Sequence, residues 1–350
     1  MTSDPEQELL IDEQGVLGRI TLNRPKALNS LTLGMVRSVR AALDKWRDDD
    51  RIRAVLVEGA GDRGLCAGGD IRAIYDASQT GDESLVATFW GEEYRMNAAL
   101  ARYPKPVVGL MDGICMGGGV GVSAHGSHRV VTERSKVGMP EVGIGFAPDV
   151  GGTHLLSRAP GELGTHMALT GAPVGAADAL HCGLADYYVP SAGLGELAAA
   201  LSTGPVDAVL EKYAEQPPES ALKSERGWID EVYSADSVEE LLHRLRQRPE
   251  PAARSAVEAI VTKSPTSLKV TLRSLREAAR ESSLEQALDR EFRVSEACVR
   301  IGDFVEGVRA TLVDKDKNPA WSPGRVEEVG TDFVDRFFQP PEVGDLGLSD

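Results

Sequence analysis

The sequence predicts an α/β fold built mainly on parallel strands, with a helical C-terminal region. Three observations predict it. Short β-branched runs alternate with stretches of helical apolar spacing through residues 1–204, in the order ββαβαβαβ. Glycine-rich loops stand where strands end. Beyond residue 204 the strands stop and helix follows helix, which divides the chain into an α/β core (1–204) and a helical region (205–350).

The elements follow in order. "ELLIDEQGVLGRITLN" predicts two short strands about a turn at Gln14-Gly15. "SLTLGMVRSVRAALDKWRDDD" places Leu33, Val36, Val39, Leu43 and Trp46 on one helical face. "AVLVEG" (54–59) is a strand, and the loop "GAGDRGLCAGGD" follows it. Residues 84–102 read as a helix, "PVVGLMDG" (106–113) as a buried strand, and "GGGVGVSAHG" as the opening of another helix. "HRVVTE" and "KVGM" supply two more strands. After the turn "EQPPES" (215–220), helices are predicted at 237–247, 251–262, 266–280, 284–299 and 303–313. Ser264 or Thr266 is placed to cap the third of these, with Pro265 in its first turn. The last ten residues, "PEVGDLGLSD", are expected to fray.

Composition narrows the function. Hydrophobic residues make up 42%, enough for a substantial core. Lys and Arg total 38 against 54 Asp and Glu, a net charge of −16, and no basic stripe marks a nucleic-acid binder. Cys66, Cys115, Cys182 and Cys298 form no CxxC and no regular spacing, so a disulfide framework is not expected and a reducing cytoplasm is. "MTSDPEQELL" lacks the basic start and apolar run of a signal peptide, and no stretch of 18 apolar residues would span a membrane.

Several motifs fail their tests. Gly119–Ala124 matches GxGxxA after a strand, but the acid that should follow about 20 residues on is not in place, since Glu133 comes too early. "GVSAHG" has His125 where the serine-nucleophile elbow needs glycine. There is no HExxH and no cysteine cluster, and His125 with His128 reads as capping or packing; no metal is expected. Cys66 reads as a small packing residue.

Two features remain. "CAGGD" (66–70) and "GGG" (117–119) are glycine runs at strand ends, where a ligand can approach backbone N–H groups closely. Two such donors aimed at one point would form an oxyanion hole; close packing is the alternative for either run alone. "MPEVGIGFAPDVGG" (139–152) then carries Glu141 and Asp149 in apolar surroundings. Eight residues of helix would part them by ~12 Å, and eight of strand by ~26 Å. Gly143, Gly145 and Pro148 point instead to a bent loop in which the acids could converge. The competing role for Asp149 is to cap a helix starting near Val150.

With these pieces on the page, the chain resembles the crotonase (enoyl-CoA hydratase/isomerase) superfamily. The matching segments are "LNRPKALNSLT", "GLCAGGDIRAIYD", "KPVVGLMDGICMGGGVGVSAHG" and "MPEVGIGFAPDVGG". "EEYRMNAAL", "FAPDVGG", "SPTSLKVTL" and "FVEGVRATLVDKDKNPAW" narrow the resemblance to the 3-hydroxyisobutyryl-CoA hydrolase branch. It implies a crotonase-type spiral of ββα units with a helical C-terminal region. It implies a thioesterase acting on a short 3-hydroxyacyl-CoA in valine breakdown, with no cofactor beyond the CoA of the substrate, and it admits a homo-oligomer.

By motif position the oxyanion donors would be the amides of Gly69 and Gly118. Lys26, Ala27 and Leu28 would contact the CoA nucleotide, and Glu93 the substrate. Hydratases of the family resemble two-carboxylate enzymes whose first glutamate follows the glycine triplet. Here that position is Gly121, and Asp149 appears eight residues past Glu141. Glu141 would attack the carbonyl or activate water, and Asp149 would orient the reactants or relay the proton. The alternatives are hydration or isomerisation of an enoyl-CoA, and acyl-CoA binding without catalysis.

Overall fold

The computed structural model describes residues 7–81 and 83–349. The N-terminal reading falls partly outside that range, as does Asp350. The backbone forms two compact units that interleave along the chain. The first takes in the chain up to Gly69, Arg95–Val137 and Val174–Ala221; the second takes in Asp70–Tyr94, Gly138–Pro173 and the chain from Leu222 onward. The units therefore do not follow a single boundary at residue 204. Composition averages over a stretch of chain, whereas segments 70–94 and 138–173 group with residues far along the sequence.

The first unit is α/β with a mostly parallel sheet. Strand β1 (Leu9–Gln14) turns through Gly15, at a φ of 60°, into antiparallel β2 (Leu17–Leu22). Then β3 (Ala54–Gly59), β4 (Gly64–Cys66), β5 (Val107–Met111), β6 (Ile114–Met116), β7 (His128–Val131), β8 (Lys136–Gly138) and β9 (Tyr187–Tyr188) follow. The large sheet runs β1-β2-β3-β5-β7-β9, parallel from β2 onward, and a small sheet runs β4-β6-β8. Strand β5 is buried along its whole length, as its unbroken apolar run predicts. The helix Leu33–Arg47 is capped by the Thr32 hydroxyl, which accepts from Met35 N at 3.2 Å. It buries Val36, Val39, Leu43 and Trp46 as expected, while Leu33 is only half-buried and Met35 takes the inner position. The sequence reading missed β4, β6 and β9, which are too short to show a period.

The loop from Arg24 to Leu31 organises the exits of β3 and β4. Leu28 and Asn29 both have left-handed backbone, with φ of 52° and 56°. Asn29 is buried, and its side chain works in three directions. Its Nδ2 donates to the Ala60 and Gly64 carbonyls, both at 3.0 Å, and its Oδ1 accepts from Arg24 N at 2.9 Å. An asparagine tolerates this conformation where a β-branched residue does not.

The second unit is helical. Its elements include Ile71–Thr80, Leu163–Thr170, Ala221–Tyr233, Val238–Arg246, Pro251–Ile260, Pro265–Ala278, Leu284–Ile301 and Phe304–Val308. Ser264 is the cap of the Pro265 helix, its hydroxyl accepting from Ser267 N at 3.0 Å. Trp90 stacks on Phe146 at 5.2 Å between ring centres, and Phe304 closes the cluster. The tail expected to fray is held. Leu348 N and Ser349 N donate to the two oxygens of Asp289, each at 2.9 Å, and Arg293 pairs with Asp345 at 2.6 Å. A polar terminus reads as solvated in sequence, but a buried carboxylate such as Asp289 needs donors.

Replacing Asn29 with Ala removes three hydrogen bonds at a buried left-handed residue. Urea denaturation should show a loss of about 2–4 kcal/mol.

Candidate active site

In the first unit, β4 and β6 run parallel and side by side, pairing Gly64 with Ile114 and Cys66 with Cys115. The two glycine runs therefore leave neighbouring strands at the same end. Gly68 turns away with φ 122° and Gly117 with φ 51°, values that L side chains rarely adopt. A Cβ on Gly68 would stand 3.9 Å from Gly118 N, so the two loops are close neighbours. A Cβ on Gly119 would collide with the Cys66 carbonyl, which explains the third glycine of the triplet as a packing requirement. Among the described residues, neither the Gly69 nor the Gly118 N–H donates to a backbone or side-chain acceptor.

The Arg24–Leu31 loop braces this corner. Ala67 N donates to Leu28 O at 3.0 Å, and Leu31 N to Gly68 O at 2.9 Å. Lys26 and Ala27 are exposed and Leu28 is half-buried. Gly121 lies inside the helix Gly118–Ser123 with its amide donating to Gly117 O, so no carboxylate issues from that position. His128 bonds Ser127 and Asp207 at 2.8 and 2.9 Å and stacks on Tyr187.

In the second unit, Glu141 opens a 3-10 turn, Glu141–Ile144, that ends at Gly145 with φ 71°. A side chain on Gly145 would collide with the Asp303 backbone. Phe146 then enters the aromatic cluster, and Val150 and Gly151 both adopt left-handed backbone, with φ of 51° and 77°. The expected bent loop is thus real, and Asp149 sits at its end. It does not cap a helix. The helix Gly152–Leu156 begins with Gly151 at its cap position and no side-chain cap bond there.

Its first amides are taken by Glu291, from the Leu284–Ile301 helix. Gly151 N donates to Glu291 at 2.6 Å and Thr153 N at 3.0 Å, and the Thr153 hydroxyl donates to the same carboxylate. Asp149 instead accepts from Tyr94 Oη at 2.8 Å, and Tyr94 Oη lies 2.7 Å from Ser295 Oγ.

Glu93, Glu141, Asp149 and Glu291 are all buried. Burial, and then the Asp149 charge, hold the Glu93 and Glu141 carboxyls well above the ordinary range. Burial lifts Asp149 to about 7; the Tyr94 hydrogen bond works against that rise and the Glu291 charge adds to it. Burial lifts Glu291 to about 7 as well, offset by the Arg290 charge and by its hydrogen bonds to Thr153 and Gly151. Such neighbours cannot all ionise together near neutrality, so the group shares protons. Glu141 Oε2 and Glu93 Oε1 have no hydrogen-bond partner among the described residues. A buried acceptor left unpaired in the protein is available to a ligand or water.

Glu93, expected to contact the substrate, is a buried member of the acid group. The sequence reading missed Tyr94, Glu291, Ser295 and Asn29. Tyr94 adjoins Glu93, and a helix carrying Glu285, Asp289, Glu291 and Glu296 on buried positions breaks the apolar pattern of a core helix.

The family described as Enoyl-CoA hydratase/isomerase matches residues 17–338. The protein of Gallus gallus named "3-hydroxyisobutyryl-CoA hydrolase, mitochondrial" is 42% identical over 99% of this chain and 92% of its own. The Homo sapiens protein of the same name is 40% identical over 98% and 92%. Among solved structures, a carnitinyl-CoA dehydratase from Mycobacterium thermoresistibile is 51% identical, with a TM-score of 0.95 over 98% of this chain and 99% of that one. An enoyl-CoA hydratase from Rhodobacter sphaeroides is 40% identical, with a TM-score of 0.92 over 97% and 99%. The expected cytoplasmic location is corrected by the vertebrate names, which are mitochondrial. That expectation leaned on cysteine usage, and buried thiols distinguish reducing from oxidising surroundings, not one reducing compartment from another.

The acid group has a consequence for stability. Asp149 titrates near 3.8 when unfolded and about 7 when folded, so between those values the folded chain holds the extra proton. Stability is then full below pH 4 and declines as pH rises through 7. Asp149→Asn removes this contribution, so denaturation at pH 4 and pH 7.5 should show the variant gaining on the wild type at the higher pH.

Proposed function

The chain belongs to the enoyl-CoA hydratase/isomerase family, and from that membership we propose that it hydrolyses the thioester of a short 3-hydroxyacyl-CoA, most closely 3-hydroxyisobutyryl-CoA. The names of the curated relatives support a CoA thioester hydrolase and this acyl group. The single observation that carries the reading is the distribution of acids. Position 121, where a hydratase would hold its first glutamate, is a glycine inside a helix, while Glu141 and Asp149 are both buried, burial raises the proton affinity of each, and the Asp149 charge raises that of Glu141 further.

The roles follow from that chemistry. The amides of Gly69 and Gly118 receive the carbonyl oxygen as it becomes an oxyanion. Glu141, with one carboxylate oxygen unpaired, works on the carbonyl carbon. It attacks directly, giving an anhydride that water opens, or takes a proton from the attacking water. Collapse of the tetrahedral adduct breaks the C–S bond. Asp149, with its pKa of about 7, passes a proton to the departing thiolate and is reset from water through the same acid group. The balance is thioester plus water giving acid plus thiol. Glu93 receives the 3-hydroxyl, and Lys26, Ala27 and Leu28 receive the CoA nucleotide. A part in valine breakdown belongs to the same proposal.

The names of the two solved structures favour a second reading, addition or removal of water at a carbon–carbon double bond. Crotonyl-CoA separates the two, because hydration bleaches its conjugated absorbance without freeing thiol.

Glu141→Gln and Asp149→Asn should each slow thiol release from 3-hydroxyisobutyryl-CoA by about a hundredfold or more, while CoA-ester binding by calorimetry stays intact. Wild-type release by either variant, or fast bleaching of crotonyl-CoA with no thiol, would count against the hydrolase reading.

A further inference from the structure

The helix Gly152–Leu156 is five residues long and starts from two successive left-handed residues, Val150 and Gly151. A short helix entered through such a turn has little local energy to hold its geometry. A non-glycine residue in this conformation carries strain of about 1 kcal/mol or more. The usual remedy is a Ser, Thr, Asp or Asn at the cap position, and here that position is glycine with no cap bond.

The acceptor comes from 140 residues away in sequence. Glu291 is almost fully buried, at 1% exposure, and takes three donors from the turn: Gly151 N, Thr153 N and the Thr153 hydroxyl. Arg290, its neighbour in sequence, donates to the far side of the same Thr153 hydroxyl at 2.9 Å and pairs with Glu281 at 2.8 Å. The first of these donors, Gly151 N, is only two positions along the chain from Asp149. The Asp149 carbonyl also accepts from Gly152 N at 2.6 Å, which ties its backbone to the capped turn.

We propose that Glu291 is a positioning residue for the reaction: by gathering the Gly151 and Thr153 donors, it holds the left-handed turn that sets the Asp149 carboxylate against Tyr94. The inference rests on the reading of Asp149 as a working acid. It adds that Asp149 is held from two sides, by the turn behind it and by the phenol in front. The groups facing Asp149 are Glu93 and Tyr94 from the Glu83–Ala101 helix, Glu141 from its 3-10 turn, and Glu291 and Cys298 from the Leu284–Ile301 helix, while Ser295 of that helix bonds the Tyr94 hydroxyl. Of these, Tyr94 favours the charged carboxylate by donating to it, and the acids disfavour it.

Glu291→Asp tests this, because it keeps the charge and withdraws the carboxylate by one methylene, ~1.5 Å. With the charge retained, a change at Asp149 reports position. The expected outcome is a fall in kcat of about tenfold or more with KM little altered. The Asp149 carboxyl, followed by carbon-13 NMR in aspartate-labelled protein and assigned by its loss in Asp149→Asn, should titrate at higher pH as the Tyr94 bond weakens. If thermal stability falls while kcat and the Asp149 titration keep their wild-type values, Glu291 is only a helix cap and the proposal is overturned. Should Glu291→Asp fail to fold, Thr153→Val removes one of the three donors and is read in the same way. A smaller kcat loss with the same direction of titration supports the proposal, and wild-type values overturn it. The NMR arm needs no substrate. It therefore decides positioning even if Asp149→Asn retains full hydrolysis, an outcome that would instead sink the catalytic reading.

Discussion

Burying an ionised carboxylate without a partner costs several kcal/mol, and the second unit buries four acids that feel one another: Glu93, Glu141, Asp149 and Glu291. That constraint orders much of what surrounds them. Each acid must find donors or hold a proton. Glu291 finds three donors on one turn, Asp149 finds a phenol, and Glu93 and Glu141 keep an oxygen unpaired. An arrangement this unfavourable for stability alone supports the proton-transfer role proposed for these acids.

The backbone around the acids is shaped to the same end. Gly145 lets the chain pass against Asp303, and Val150 with Gly151 turns it back after Asp149. Phe146, between them, is fixed by Trp90 and Phe304. The loop is therefore pinned by an aromatic anchor in its middle and a carboxylate at its end. Both pins come from side chains distant in sequence, so the acids are oriented by tertiary packing rather than by local propensity.

In the first unit the corresponding economy is in amides. Two parallel strands deliver two glycine loops to neighbouring positions, and the Gly69 and Gly118 N–H groups find no acceptor among the described residues. The Arg24–Leu31 loop is bonded to the first of these glycine loops and the chain leading into it through Asn29, Leu28 and Leu31. Its motif position suggested a ligand contact; its hydrogen bonds add a second role, as the brace of the Ala67–Gly69 backbone.

The amino-acid sequence by itself determined the α/β class, the mostly parallel sheet, the capped helix at Pro265 and the family, because these depend on short-range periodicity, caps and glycine motifs. It also placed Glu141, Asp149 and the two glycine runs, since residue type and spacing mark them. Only the tertiary structure decided that Asp149 faces Tyr94 instead of capping a helix, that Glu291 caps that helix from afar, and that the last residues are tied to Asp289. The physical reason is common to all three. A carboxylate's partner is set by which donors burial brings within about 3 Å, and contacts between residues 50 to 140 apart in the chain leave no periodic trace for a sequence reading to find.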